Sequence, residues 1–213
     1  MAFAAVAAVD LLALAVGWNP GHTAAKPLLM PLLAAHAALS GAPRLLVAAL
    51  LCGWGGDTFL LLDADPAFLA GMACFAAGHV CYLALFRTYG PAHARARHLA
   101  AGYALVLAGT VALLWPDLPA GLRVPVAVYS ALLTAMACAA AVRVGPLAGL
   151  GGALFLLSDT LIATGVAEWP QPPRPDLWIM LTYVVAQFLL VTGTLTARRP
   201  AVSAYREVRS TTP

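Results

Sequence analysis

One apolar stretch with a single aspartate inside it decides the class of the fold. It covers residues 44–62 and reads RLLVAALLCGWGGDTFLLL. Its length is that of the roughly 20 residues that a helix needs to cross the hydrocarbon core of a bilayer. A carboxylate near the bilayer centre costs about 2.5–3.5 kcal/mol, and such residues usually face the bundle interior and carry function. The stretch therefore predicts a membrane-spanning helix in which Asp57 has a functional role.

The composition of the whole chain agrees with this interpretation. Of the 213 residues, 62% are hydrophobic and 10% are charged, whereas a soluble domain is about 45–50% apolar and about 25% charged. These values exclude an ordinary soluble domain, a disordered chain and a coiled coil. The net charge of +3 is too small to indicate nucleic-acid binding. We therefore predict an all-α polytopic membrane protein.

Short loops that contain Pro or Gly divide the chain into eight expected spans within one transmembrane domain, residues 1–196. The spans cover residues 1–18, 27–40, 45–62, 66–86, 98–115, 121–142, 146–167 and 176–196. The first carries Asp10 and lacks a basic start, which favours an uncleaved span over a signal peptide. The second is short and contains Pro31, so we expect a kink or a tilt. A polar cytoplasmic tail, residues 197–213, follows.

The loop charges predict the orientation of these spans. With eight spans, both termini lie on one side of the membrane, and that side holds nine basic residues against three on the other. The first group comprises Arg44, Arg87, Arg95, Arg97, Arg143, Arg198, Arg199, Arg206 and Arg209, and the second Lys26, Arg123 and Arg174. Because basic loops stay in the cytoplasm, we expect both termini inside.

Two aspartates in similar settings are the candidate catalytic groups. Asp57 is followed by Thr58 and Asp159 by Thr160. The two spans are four apart and share an orientation, so the recurrence indicates either a parallel four-plus-four repeat or chance. Both aspartates lie roughly 8–12 Å from the outer ends of their spans, so they could face each other. The alternative is that each only bonds a neighbouring helix, and this is the favoured interpretation for Asp10, which has no polar neighbours in sequence.

Four further polar residues are candidates for substrate binding. Lys26 opens the second span on the outer side, where it could be an interfacial anchor or a counter-charge for a carboxylate or a lipid phosphate. Tyr129 lies in the outer half of the sixth span. Tyr183 and Gln187 are one helical turn apart on the eighth span and so share a face. These positions predict a shared polar surface around the aspartates.

Histidines and cysteines give weaker signals. His79 lies in the inner half of the fourth span, which is too deep for contact with Asp57 unless the helices tilt. His36 is a weaker candidate still. Cysteines occur only inside apolar runs and without a CxxC pair, at Cys52, Cys74, Cys81 and Cys138. We therefore expect buried thiols rather than disulfides or metal ligands, and no metal site.

The ordered set of polar motifs resembles the YhhN family of integral membrane proteins, whose characterised members are lysoplasmalogenases. The motifs are Lys26-Pro27-Leu28-Leu29-Met30-Pro31, Gly56-Asp57-Thr58, Gly78-His79 with Tyr82, Ser158-Asp159, and Tyr183 with Gln187. They span nearly the whole chain in the family's order. The resemblance implies hydrolysis of the vinyl ether bond of a lysoplasmalogen to a fatty aldehyde and glycerophosphoethanolamine or glycerophosphocholine. It also implies a lysophospholipid substrate in a membrane.

The residues suit this chemistry independently of the resemblance. Protonation of the β-carbon of a vinyl ether gives an oxocarbenium ion, which water attacks before the hemiacetal collapses. This requires one protonated acid and one anion, which two carboxylates in a low dielectric supply, as in glycoside hydrolysis. We therefore expect Asp57 and Asp159 to form the acid/base pair, with no cofactor, although the sequence does not say which one is the acid. No Gly-x-Ser-x-Gly motif indicates a serine nucleophile.

Other functions also fit intramembrane carboxylates. A proton-coupled transporter uses them as proton relays, and an intramembrane aspartyl protease uses two on separate spans, although Ser158 stands where its usual tyrosine is expected. A purely structural membrane protein is a further alternative. The excess of Ala and of Arg over Lys indicates a bacterial genome rich in G and C, and hence the bacterial cell membrane.

Overall fold

The structure, a computed structural model, describes residues 2–62, 64–90 and 96–198. Eight α-helices account for most of these residues, and no strand occurs among them. The helices are α1 (Ala2–Val16), α2 (Asn19–Leu39), α3 (Arg44–Phe59), α4 (Asp65–Phe86), α5 (Ala96–Leu114), α6 (Ala120–Ala139), α7 (Pro146–Val166) and α8 (Pro175–Ala197). A π-helical segment, Ala140–Val144, extends α6. The predicted all-α class is therefore confirmed, while nearly all of the expected polar tail lies outside the described residues.

Five of the helices, α4 to α8, are long and apolar enough to cross a membrane. The helix α1 is apolar but has 15 residues, and α3 has 16. The chain is therefore a polytopic integral membrane protein. The number of eight crossings and the cytoplasmic position of both termini stay predictions.

The helix α2 departs most from the sequence-based expectation. It begins at Asn19 and is 21 residues long, whereas the second span was expected to begin at residue 27. Pro20 lies in its first turn, where a missing N–H costs nothing because that group has no partner inside the helix. As a consequence Lys26 lies inside α2 rather than at its start.

Close contacts between neighbouring helices hold the bundle together. The most extensive pairs are α7 with α8 and α3 with α4. In chain order α3 and α7 are four helices apart, as are α4 and α8, and the four-plus-four repeat stays a prediction. Gly71 and Gly78 of α4 face backbone oxygens of α3, since an added Cβ would lie 3.2 and 3.1 Å from the carbonyl oxygens of Gly56 and Ala49. Small residues at such contacts let helix backbones approach closely in a membrane.

Substitution of Gly151 by alanine tests the contact between α7 and α8. A Cβ at Gly151 would lie 2.8 Å from the carbonyl oxygen of Ala186 and 2.9 Å from the nitrogen of Leu190. Because both are backbone atoms, we expect Gly151→Ala to destabilise the protein by about 1–3 kcal/mol through overpacking. The matched control is Gly109→Ala on α5, where nothing lies within 4 Å and helix propensity favours alanine by about 0.5–1 kcal/mol. Thermal unfolding midpoints in detergent that are equal for the two variants would contradict this packing.

Candidate active site

The carboxyl group of Asp57 is buried between α3 and α8. Asp57 is 2% exposed, and Tyr183 donates its hydroxyl hydrogen to Asp57 Oδ2 at 2.8 Å. Glycine at position 53, one turn before Asp57, leaves room for this contact, since a Cβ there would lie 3.3 Å from the Tyr183 hydroxyl oxygen. The tyrosine therefore supplies the hydrogen bond that a carboxyl group in a bundle interior requires.

A chain of hydrogen bonds continues behind Tyr183. The Tyr183 hydroxyl oxygen accepts a hydrogen bond from Gln187 Nε2 at 3.4 Å. In turn, Gln187 Oε1 accepts from the Tyr82 hydroxyl at 2.8 Å. Each of these side chains is at most 3% exposed. These hydrogen bonds therefore connect three helices in the core. They run from Tyr82 on α4 through α8 to Asp57 on α3.

Asp159 belongs to a second chain, formed by α7, α6 and α4. Tyr129 donates its hydroxyl hydrogen to Asp159 Oδ2, and His79 Nε2 lies 3.2 Å from the Tyr129 hydroxyl oxygen. Because the hydroxyl hydrogen of Tyr129 points to Asp159, His79 must donate from Nε2. The other ring nitrogen of His79, Nδ1, is buried and has no partner among the described residues.

Aromatic rings fill the space between the two chains. The ring of Phe155 lies 5.4 Å from that of Tyr183 and 4.9 Å from that of His79, measured between centroids. Phe75 contacts both Phe155 and Tyr183 edge to face. Gly56 makes room for Phe75, since a Cβ at position 56 would lie 2.5 Å from its ring. The site is therefore one aromatic-lined region with an aspartate at each side.

An apolar cavity opens beside Asp159, and its empty space of about 730 Å³ includes the open mouth of the cavity. Residues of α4, α5, α6 and α7 line it, among them Met72, Val106 and Leu133, and Asp159 and Tyr129 lie at its wall. Asp57 does not line it. Ligand pockets of this kind are mostly apolar with a few polar groups that fix the orientation of the ligand. The cavity can therefore hold an alkyl chain with its polar end at Asp159.

A third polar cluster lies between α1 and α2, close to Asp57. His22 Nδ1 contacts Asp10 Oδ1 at 2.8 Å, and the Asp10 side chain is fully buried. Lys26 follows His22 by one turn of α2, and the charges of Lys26, Asp10 and His22 all act on the Asp57 carboxyl group. The α1–α2 side of Asp57 therefore holds the ammonium group of Lys26 together with the hydrogen-bonded Asp10 and His22 side chains.

The structure brings together all seven side chains that the sequence analysis placed in the site. Six of them form the two hydrogen-bonded chains, His79 included, although it reaches Tyr129 rather than an aspartate. Lys26 acts on Asp57 through its charge. Each aspartate bonds its own tyrosine, and no hydrogen bond joins the two carboxyl groups within the described residues. Among the residues that the structure describes, no three His, Cys, Asp or Glu side chains lie close enough together to hold a metal ion.

The sequence analysis missed three contributors to this region. It counted Tyr82 only as a family motif, although its spacing of three residues from His79 places both on one face of α4. It favoured a hydrogen bond from Asp10 to a neighbouring helix, which is confirmed, but it missed the partner, His22 of α2. The signal for His22 was its position one turn before Lys26, hidden by the late start assigned to α2. Phe75, one turn before His79, carried no polar signal.

Comparisons with known proteins point to one family. The YhhN family matches residues 21–194, a range that includes both aspartates of the site. The human lysoplasmalogenase TMEM86B is 35% identical over 166 residues, which are 76% of this chain and 67% of that protein. Bovine lysoplasmalogenase TMEM86A is 32% identical over 71% of this chain and 65% of its own length.

A bacterial relative is similar to the same degree. The lysoplasmalogenase of Mycobacterium bovis is 30% identical over 185 residues, which are 82% of this chain and 69% of that protein. The chain thus spans about two thirds of the length of these curated relatives. No solved structure matches the chain.

Removal of His22 tests the buried contact with Asp10. His22→Ala leaves a fully buried carboxyl group without its hydrogen-bond partner, and an unsatisfied buried polar group costs about 1–3 kcal/mol. We therefore expect a large fall in the thermal unfolding midpoint in detergent. The double variant Asp10→Leu/His22→Ala should regain most of it, because no unpaired carboxyl group remains. His36→Ala, which changes an exposed histidine of the same helix, is the control, and an equal effect there would contradict the role of the contact.

Proposed function

Because this chain belongs to the YhhN family, we propose that it is a lysoplasmalogenase. In this proposal it hydrolyses the vinyl ether bond of a lysoplasmalogen to a fatty aldehyde and glycerophosphoethanolamine or glycerophosphocholine. Relatives named lysoplasmalogenase support the proposal. The observation that carries it is the pair of aspartates, each bonded to a tyrosine, beside an apolar cavity. The cell membrane of a bacterium is the proposed location.

The two aspartates supply the acid and the anion that the reaction needs. One carboxyl group transfers its proton to the β-carbon of the vinyl ether, which leaves an oxocarbenium ion. The other, ionised, stabilises that cation, because charges interact strongly in a site that excludes water. Water then adds to the α-carbon and loses a proton, and the hemiacetal collapses to aldehyde and alcohol. Asp57 and Asp159 are the proposed pair.

The remaining side chains bind and orient the substrate in this proposal. The alkenyl chain lies in the apolar cavity, which Asp159 lines. Lys26 binds the phosphate of the headgroup, for which an ammonium group offers three N–H donors. Tyr129, Tyr183 and Gln187 position the attacking water and the glycerol oxygens, and His79 supports Tyr129 from behind.

Aldehyde release from a 1-alkenyl lysophospholipid tests the proposed function. We expect the purified protein to release aldehyde, and Asp57→Asn and Asp159→Asn each to lower kcat by about 10²–10⁴-fold, the usual contribution of a catalytic acid or base. Asp117→Asn is the control, because Asp117 lies in the turn after α5, where it accepts a hydrogen bond from Trp169. Activity that survives either site variant would refute the mechanism, and an inactive, folded wild type would refute the function.

Comparison of two substrates tests the role of Lys26. Loss of a charge-assisted hydrogen bond costs about 1.5–3 kcal/mol. We therefore expect Lys26→Gln to raise KM for a 1-alkenyl lysophospholipid by about tenfold or more, and to affect an uncharged 1-alkenylglycerol much less. Lys26→Arg, which keeps the charge, should fall between wild type and Lys26→Gln. Equal losses with both substrates would show that Lys26 does not bind the phosphate.

A further inference from the structure

We infer that the two aspartates have different, fixed roles: Asp159 donates the proton, and Asp57 remains the anion that stabilises the oxocarbenium ion. The inference rests on the proposed function and deepens it, since the chemistry alone allows either assignment. Two independent features of the structure support it. One is the position of each aspartate along the substrate, and the other is the ammonium group of Lys26, whose charge acts on Asp57.

The position of the cavity places Asp159 at the β-carbon. In a vinyl ether the β-carbon continues into the alkyl chain, and the α-carbon carries the oxygen that leads to glycerol. An alkyl chain in the cavity therefore presents its β-carbon on the cavity side of the reacting bond. Asp159 lies at the cavity wall and Asp57 does not, so Asp159 is the group that reaches the carbon to be protonated.

The charges around Asp57 place it at the glycerol end of the same bond. Lys26 acts on the Asp57 carboxyl group and is the proposed ligand of the phosphate, which follows the glycerol. The positive charge of the intermediate is shared by the α-carbon and the ether oxygen, which face this end. An anion at Asp57 is therefore next to the atoms that become positive.

The hydrogen bonds behind Asp57 all point towards it. Tyr82 donates to Gln187, Gln187 donates to Tyr183, and Tyr183 donates to Asp57. A hydrogen bond to the charged form of a group favours that form, and the nearby ammonium group of Lys26 acts in the same sense. Neither tyrosine hydroxyls nor an amide readily take up a proton near neutral pH. Donated hydrogen bonds also reach Asp159, from His79 through Tyr129, so the ammonium group of Lys26 is what distinguishes Asp57 as the anion.

Asp159, like Asp57, has one oxygen that accepts from no described residue and can carry a proton. Its Oδ2 accepts the hydroxyl hydrogen of Tyr129, and no described residue donates to its Oδ1. Two carboxyl groups in one low-dielectric site do not both ionise readily, so an ionised Asp57 leaves the proton on Asp159. Asp159 transfers that proton to the β-carbon, and the water that adds to the α-carbon returns one to it, so each turnover consumes one water.

His79 is a positioning residue in this arrangement. Its Nε2–H donates to the Tyr129 oxygen at 3.2 Å, which keeps the hydroxyl hydrogen of Tyr129 directed at Asp159 Oδ2. His79 itself is 1% exposed and does not line the cavity, so it acts through Tyr129 rather than on the substrate.

Binding of a cationic analogue tests the assignment without turnover. The probe is a 1-alkylamino lysophospholipid, whose protonated nitrogen replaces the ether oxygen, and the reference ligand is the saturated 1-alkyl ether lysophospholipid. We expect Asp57→Asn to lower the ratio of amine to ether affinity by about tenfold to hundredfold, the loss of one charge-assisted contact. Asp159→Asn should leave the ratio nearly unchanged, because a neutral amide replaces a neutral acid.

The outcomes separate the assignment from the proposed function. A fall in the ratio for Asp159→Asn, or equal falls for both variants, would overturn the assignment even if wild type releases aldehyde. If the wild-type protein releases no aldehyde, the proposed function is refuted, whatever the ratio of amine to ether affinity. Binding of the ether ligand shows that each variant is folded. If Asp57→Asn fails that control, Tyr183→Phe takes its place and is expected to lower the affinity ratio more than Tyr129→Phe does. A larger fall for Tyr129→Phe would contradict the assignment.

Two substitutions of His79 test its positioning role in catalysis. His79→Gln keeps an N–H donor near the position of Nε2, whereas His79→Leu removes it. We expect His79→Leu to lower kcat by about tenfold or more with little change in KM, the loss of one hydrogen bond in the reacting arrangement, and His79→Gln to restore most of it. Equal losses in the two variants would show that the donor is not what matters.

Discussion

Two hydrogen bonds, each from a tyrosine to an aspartate on another helix, are the constraint on which the site depends. A carboxyl group inside a membrane bundle is costly unless donors from the protein replace water. Here Tyr183 donates a hydrogen bond to Asp57, and Tyr129 donates one to Asp159. The first bond joins α8 to α3, and the second joins α6 to α7. The contacts that stabilise the buried aspartates therefore also fix where these helices meet.

Much of this arrangement could be predicted from the sequence, because polar residues in apolar spans usually face the interior of the helix bundle. Composition and span length predicted the all-α membrane fold, and the ordered motifs predicted the family; both are confirmed. The spacing of Tyr183 and Gln187 placed both on one face, and the structure shows them bonded to each other. What a sequence does not contain is the pairing between helices, so Asp57 and Asp159 were expected to face each other rather than to bond separate tyrosines.

The errors have physical causes in particular residues. The second span was expected to begin at Pro27, but Pro20 is in the first helical turn and Pro27 lies inside α2. That displacement hid His22, whose contact with Asp10 crosses between helices. His79 was judged by depth alone, whereas it reaches the site sideways through the hydroxyl group of Tyr129, a contact that no depth along one helix predicts.

The central claim is that an aspartate held in one position delivers a proton to one carbon of the substrate. Hydrolysis in deuterium oxide, with the aldehyde reduced to the alcohol as it forms, tests this most directly. The account predicts one deuterium on carbon 2 of the product, in a single configuration, because the acid reaches the double bond from one face. A product with no deuterium at that carbon, or with equal amounts of the two configurations, would contradict it.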